Sequence, residues 1–189
     1  MEKIKKILAN TFSGFKPRKY LDMNAVDLEM AQDGVDYRLA EKLDIVDMLA
    51  IERDVYDGEV PWTFSHFEYE IVDNVNSFFL VAQAGRRVVG FAGARVVNGG
   101  REVHITNLAV ATVWQGRGIA STLIQQVVRM MRLLGKETVT LEVRRDNTKA
   151  QGIYRRHGFI ATKNLPKYYE DGGDAVWMEK DLKHYVTSS

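Results

Sequence analysis

The hydrophobic positions of this chain change their spacing from one stretch to the next, and those changes divide it into elements. Residues 34–40, Gly-Val-Asp-Tyr-Arg-Leu-Ala, alternate apolar and polar side chains as a strand does. Across 42–56, Leu43, Val46, Leu49, Ala50 and Ile51 recur at helical spacing. Gly58 and Pro61 interrupt that helix, and Thr63 stands as the N-cap of a second helical stretch through Phe67 and Ile71. Two apolar runs, 78–82 and 88–92, flank a Gly85-Arg86-Arg87 turn, and a third, 104–110, follows Asn98-Gly99-Gly100. Strands joined by such short turns predict an antiparallel meander. The strongest helical pattern is 118–134: Ile119, Leu123, Val127, Met130, Met131 and Leu134 form one stripe, Gln125, Arg129 and Arg132 face away, and Gly135 closes the helix. The remainder reads as a strand over 138–143, a helix over 148–157 ended by Gly158, and two strands, 159–163 and 175–178, around a loop with Pro166, Gly172 and Gly173. This order predicts an α+β fold, a mixed and mostly antiparallel central sheet with flanking helices and one βαβ crossover.

A chain of 189 residues, 46% hydrophobic and 27% charged, has the size of one globular domain. Its net charge of +1 hides an uneven distribution. Lys3, Lys5, Lys6, Lys16, Arg18 and Lys19 open the chain against Glu2 alone, whereas 20–60 is dominated by Asp and Glu. The chain therefore divides into a basic extension over 1–33, a domain over 34–183 and a short tail over 184–189. In the extension Ile4, Ile7 and Leu8 sit among lysines without a continuous apolar core, which reads as a short amphipathic helix or a loose arm rather than a targeting peptide. Contact with nucleic acid or a ribosome is open to such an arm. The absence of cysteine excludes disulfides, thiol nucleophiles and cysteine metal sites, and fits a cytoplasmic protein. No apolar stretch approaches the roughly 20 residues of a membrane helix, so no membrane insertion is expected.

Candidate chemistry concentrates where the third strand of the meander meets the long helix. Leu108-Ala109-Val110 is followed by Gln115-Gly116-Arg117-Gly118-Ile119-Ala120-Ser121. Free N–H groups and the positive end of the helix dipole make this turn an anion site, although glycines also serve simply to permit a tight turn. A dinucleotide fingerprint beginning at Gly116 needs glycine at 121 and finds Ser121, and no Gly-Lys-Ser/Thr follows for a nucleotide P-loop. Gln-x-x-Gly-x-Ala after a strand ending Leu-Ala-Val resembles the acetyl-coenzyme A pyrophosphate loop of the GNAT N-acetyltransferases. Leu141-Glu142-Val143-Arg144, Asn147, Ala150, Tyr154, Gly158-Phe159, Tyr168-Tyr169, Asp171-Gly172, Asp174-Ala175 and Met178 resemble the C-terminal half of the RimI-like enzymes, which acetylate the N-terminal amine of a ribosomal protein. Pro61-Trp62-Thr63 resembles that branch's Pro-Trp-Ser loop. The likeness runs from about 35 to 182. It departs at 111–114, Ala-Thr-Val-Trp where many members have an Asp-Pro turn and a Tyr, and at Gly116, where Arg is common.

The resemblance implies a GNAT fold whose βαβ core binds acetyl-coenzyme A, and direct acetyl transfer to an amine. It implies that Leu108, Val110, Gln115, Gly116, Arg117, Gly118, Ile119, Ala120 and Ser121 hold the coenzyme. Asn147 bonds the pantetheine arm, in a position equally suited to an N-cap. It further implies that Glu142 is the general base, that Tyr154 is the general acid, and that a backbone N–H near Val110 meets the oxyanion. Substrate recognition falls to Trp62 with Asp57 and Glu59 on one side and to Tyr168 and Tyr169 on the other. The acceptor it implies is a protein N-terminus, as of ribosomal protein S18. A small amine, a lysine side chain, or a coenzyme-binding module without turnover are the alternatives. His66, His104, His157 and His184 lack a short metal-ligand spacing and read as surface or strand residues; no metal is expected. His104 alone lies on the strand leading to the site.

Overall fold

A computed structural model describes residues 34–56 and 61–183. The basic extension 1–33, Asp57, Glu59, and the tail 184–189 with His184 lie outside the described residues. Among the described residues, eleven strands and α-helices follow one another: β1 (Asp36–Leu39), α1 (Ile45–Val55), α2 (Phe64–Glu68), β2 (Ser77–Ala84), β3 (Arg87–Val97), β4 (Glu102–Val110), α3 (Ile119–Leu133), β5 (Thr138–Arg144), α4 (Thr148–Arg156), β6 (Ile160–Leu165) and β7 (Ala175–Asp181). The strands form one seven-stranded sheet in the order β1-β2-β3-β4-β5-β7-β6, antiparallel except between β4 and β5, which α3 connects. The α+β order, the meander and the crossover expected from the spacing are all present.

Burial explains why some strands read as continuous apolar runs and others alternate. In β2, Phe78, Leu80 and Ala82 pack under α3, while Phe79 and Val81 pack under α1 and α2 on the opposite face. Both faces are covered, so the run 78–82 is apolar throughout. In β5 only Val139, Leu141 and Val143 enter the core, and Thr140 and Glu142 lie on the other face. Fully burying side chains of this size contributes roughly 1.5–3 kcal/mol each, enough to fix the register against a one-residue slip.

The face of α1 differs from the expected one. Leu43 and Val46 are 86% and 65% exposed, and the buried stripe is Ile45, Met48, Ile51 and Glu52. Two apolar stripes were available on this helix, and its entry is set by Arg38, which forks onto both carboxylate oxygens of Asp44 at 2.7 Å just before α1 begins. Under α1 and α2, Phe67 meets Phe79 and Phe91 edge-on, each at 5.7 Å between ring centres. The ring of Phe79 lies where a side chain at 93 would stand: a Cβ there would come within 2.3 Å of it, so only glycine fits.

Two irregularities shape the centre of the sheet. Parallel pairing of β4 with β5 covers only Glu102, Val103 and His104 opposite Thr138, Val139 and Thr140. Beyond that point β5 continues with β7, and β4 continues with β3, so a gap opens between the two central strands. A bulge in the β3–β4 ladder, where Gly93 pairs with Asn107 and Ala94 with Ile105, leaves Thr106 as the extra residue and bends β4 beside that gap.

Candidate active site

The gap opens onto a cavity of about 630 Å³. Leu108 and Val110 of β4, Gln115, Gly116 and Gly118 of the turn, Ile119, Ala120 and Ser121 of α3, and Asn147 and Tyr154 around α4 all line it. Gly116 and Gly118 have φ of +79° and +84°, the left-handed region that L side chains avoid, and a Cβ at either would stand in open space. Their conformation turns the chain into α3, whose first residues Ile119, Ala120 and Ser121 line the cavity and whose first N–H groups helix geometry leaves without intrahelical acceptors. Lys149 and Arg156 add cationic side chains to the wall. Backbone donors, a helix N-terminus and two cations suit a phosphorylated ligand, and the unpaired edge of β4 suits an amide-bearing arm.

One expected coenzyme residue lies off the cavity wall, and another has a second task. Arg117 is not among the residues lining the cavity: its guanidinium lies 4.5 Å from the Trp114 ring centre and reaches the Val113 carbonyl at 3.4 Å. A cation beside an anion loop found an aromatic face before it found the loop. Asn147 lines the cavity and also caps α4, its Oδ1 accepting the Ala150 N–H at 2.9 Å. Gln115 joins turn to strand, donating to the Val110 carbonyl at 3.1 Å.

On the uncovered face of the sheet, Glu142 lies against His104, with Oε2 and Nε2 2.6 Å apart and the two side chains 13% and 3% exposed. Tyr168 donates its hydroxyl to Glu142 Oε1 at 3.1 Å. The imidazole stacks on Trp177, 4.9 Å between ring centres, and its Nδ1 lies 2.9 Å from Thr140 Oγ1. Tyr154 is 7% exposed, packs edge-on against Phe159, and lies within electrostatic reach of Glu142. Burial, with the Tyr56 and Glu142 charges behind it, raises the Tyr154 phenol well above the ordinary tyrosine value. Burial first, then the Glu142 carboxylate, does the same to Tyr168 and Tyr169. Tyr169 also lies under the Arg144 guanidinium, which pairs with Asp171 at 2.9 Å and so ties the β6–β7 loop to the end of β5.

Trp62 is placed by packing and by one buried carboxylate. Its ring sits 5.2 Å from Phe67 and 5.9 Å from Phe79, and the backbone N–H of Trp62 donates to Glu52 at 3.1 Å. Glu52 is 1% exposed, and burial pushes its carboxyl from 4.5 up to about 7. Between those values the folded chain keeps a proton that the unfolded chain has lost. Stability therefore falls as pH rises through that window and levels off above it, by on the order of 3 kcal/mol in all. Glu52→Gln keeps an acceptor for Trp62 and removes the charge. Urea unfolding at pH 5 and pH 8 is expected to show the wild type weaker at pH 8 and the variant nearly level; an equal slope for both would assign the pH dependence elsewhere.

The sequence reading singled out His104 only as lying on the strand leading to the site, and it passed over Thr140 and Trp177 and the two cations Lys149 and Arg156. Alternation along β4 and β5 carried a usable signal for His104 and Thr140, since it puts them on the polar face with Glu142. The other histidines stand apart: His66 accepts the Thr63 N–H at the start of α2, and His157 follows α4.

Comparison with known proteins agrees with this geometry. A Mycobacterium tuberculosis protein, "N-alpha-acetyltransferase RimI", is 32% identical over 136 residues, 69% of this chain and 82% of its own. A Bacillus subtilis protein named as a candidate ribosomal protein bS18-alanine N-acetyltransferase is 30% identical over 119 residues, 62% of this chain and 78% of its own. Among solved structures, the ribosomal-protein-S18-alanine N-acetyltransferase of Escherichia coli superimposes with a TM-score of 0.71 at 23% identity, over 82% of this chain and 98% of that one. Residues 45–159, from α1 through the gap, the glycine turn and α4, match the acetyltransferase (GNAT) family, and the chain belongs to that family of N-acetyltransferases.

Proposed function

We propose that this protein transfers the acetyl group of acetyl-coenzyme A to the α-amine of a protein N-terminus, of which ribosomal protein S18 is the leading instance. The observation that carries the reading is the cavity where β4 and β5 part, lined by Tyr154 and the glycine turn and suited to a phosphorylated, amide-bearing ligand, with Glu142 close enough to raise the Tyr154 phenol. The names of the two relatives at 30% and 32% identity support an α-amine as the acceptor.

Acetyl-coenzyme A supplies an activated thioester carbonyl. The first turn of α3, with Lys149 and Arg156, would hold its phosphates, and the β4 edge and Asn147 its amides. Glu142 would take the proton of the attacking amine as the carbon–nitrogen bond forms, directly or through one water, with Tyr168 and His104 fixing its two oxygens. Backbone N–H groups of 105–110 on the gap side would hold the carbonyl oxygen as negative charge gathers on it. Tyr154 would donate toward the sulfur as the carbon–sulfur bond breaks. Trp62 on one side, with Tyr168 and Tyr169 on the other, would frame the incoming chain end.

Free-thiol release with acetyl-coenzyme A and panels of N-terminal peptides, lysine peptides with blocked N-termini, and polyamines tests the assignment. Turnover on the N-terminal peptides, strongest for the S18 sequence, is expected. Turnover restricted to polyamines or lysine would replace the acceptor, and coenzyme binding without turnover on any panel would reduce the protein to a binding module.

A further inference from the structure

We infer that Asn107, which the bulge in β4 puts on the acceptor side of the gap, is a binding residue for the acceptor: its carboxamide oxygen accepts a hydrogen of the attacking amine and so turns the nitrogen lone pair toward the thioester. The inference rests on the reading of the gap as the place of acetyl transfer.

The bulge decides which face Asn107 takes. Val103 and Ile105 of β4 enter the core under α3, and strict alternation would put residue 107 beside them. The extra residue Thr106 breaks that count, so that Ile105 lies opposite Ala94 and Asn107 opposite Gly93. Residues directly opposite in a ladder share a face. The face of Gly93 is marked by Phe79, whose ring stands 2.3 Å from where a Cβ would be and belongs to the cluster under α1 and α2. Asn107 therefore joins Ala109 and Phe91, the next opposed pair on that face. His104 opposite Thr140 is the last rung between β4 and β5. Counted on from there with the extra residue set aside, Asn107 comes level with Glu142 across the gap and on the same face of the sheet.

What Asn107 lacks there is a donor. Its Oδ1 is buried and has no hydrogen-bond partner among the described residues. The side chains of Phe79, Phe91 and Ala109 beside it have nothing to donate, and Arg95, farther along β3 on that face, pairs with Glu70. A buried acceptor left in this state costs the fold stability, whereas an apolar side chain of the same branched shape would fill the place without that cost. The residue as a whole is half-buried, and the Cβ–Cγ torsion of an asparagine is broad, so a turn about that bond brings the oxygen out to a ligand at the gap.

An attacking amine has use for that oxygen. A neutral primary amine carries two hydrogens and one lone pair, and only the lone pair can meet the thioester carbon. One hydrogen leaves as a proton to the base when the carbon–nitrogen bond forms. Unless the other also has an acceptor, the nitrogen turns about its bond to carbon and the lone pair swings off line. Held at both hydrogens, the amine keeps its lone pair on the carbonyl in the gap. The hydrogen at Asn107 stays on nitrogen and becomes the N–H of the product amide, while the electrons of the carbon–sulfur bond leave with sulfur. Asn107 itself neither gains nor loses a proton.

Asn107→Leu keeps the branched shape and removes the oxygen. Initial rates with a primary-amine acceptor and with its N-methylated form, which has one hydrogen fewer on nitrogen, test the inference. The wild type is expected to prefer the primary amine. In the variant, kcat/KM for the primary amine should fall about tenfold, the usual size of one such hydrogen bond, and that for the N-methyl amine should hardly change, so the preference narrows by the same factor. KM for acetyl-coenzyme A should stay as it was, and the urea midpoint should not fall, because the unpartnered oxygen has gone with the side chain. Equal losses for the two amines would make Asn107 a matter of site shape, and a lower midpoint with unchanged kinetics would make it a packing residue; either result, or a wild type indifferent to the methyl group, overturns the proposal. Should Asn107→Leu fail to fold, Asn107→Ala, which makes room instead of filling it, enters the same comparison of amines. The comparison uses whichever amine turns over, so turnover on lysine or polyamines replaces the acceptor and leaves this test intact, whereas coenzyme binding without turnover of any amine overturns both.

Discussion

Glu142→Gln is expected to lower kcat/KM by about 10²–10⁴ near neutral pH, the usual worth of a placed general base. An amide cannot take a proton, but it retains an oxygen for the Tyr168 hydroxyl, which approaches Oε1 at 3.1 Å, so the fold should survive the change. The loss should shrink with rising pH. A chain-end amine ordinarily loses its proton near pH 7.7–8.0, and about two pH units above that it needs little help. Initial rates from pH 6 to 9.5, with the variant's affinity for acetyl-coenzyme A measured separately, check both parts. A pH profile identical to the wild type would move the base to another group.

Tyr154→Phe is expected to cost about 10² in kcat, near 2.7 kcal/mol of transition-state stabilisation, with coenzyme affinity almost unchanged. The low end of the general-acid range applies because a thiolate leaves well without full protonation. Burial holds the phenol protonated throughout the working pH range, so its donor is always present and no alkaline loss should arise from it. The phenyl ring keeps the edge-on packing on Phe159, at 5.8 Å, that the variant needs to fold. Single-turnover rates and equilibrium binding separate the effects; an unaffected rate would remove Tyr154 from the chemistry, and a matching loss of affinity would make it a binding residue.

Much of this site could be read from the chain because its parts are local. Gly116 and Gly118 declare a left-handed turn by being glycine, and the apolar stripe after them declares the helix whose N-terminus they aim. Alternation in β5 separates Val139, Leu141 and Val143 from Thr140 and Glu142, and so puts Glu142 opposite the core before any coordinates are known. Other parts could not be read this way. The side chain of Arg117, in the glycine turn by sequence, lies over Trp114, three residues back, a contact that no local pattern shows. Helical spacing offered Leu43 and Val46 as core, but the Arg38–Asp44 fork turns the other stripe of α1 inward. His104 looked like an ordinary strand residue because its partner lies 38 positions away in sequence, on a strand reached only through α3.

By itself, then, the sequence determined the order of elements, the one crossover, the glycine turn and the faces of the alternating strands. Each of these follows from backbone preference or from side-chain period over a few neighbouring residues. Only the tertiary structure decided where β4 and β5 part, that Thr106 bulges beside the gap, and that Glu142 comes against His104 and Tyr168. Those depend on the register between strands distant in sequence, and register is settled by how the two sides of the sheet pack, a sum over the whole core that no short stretch of chain contains.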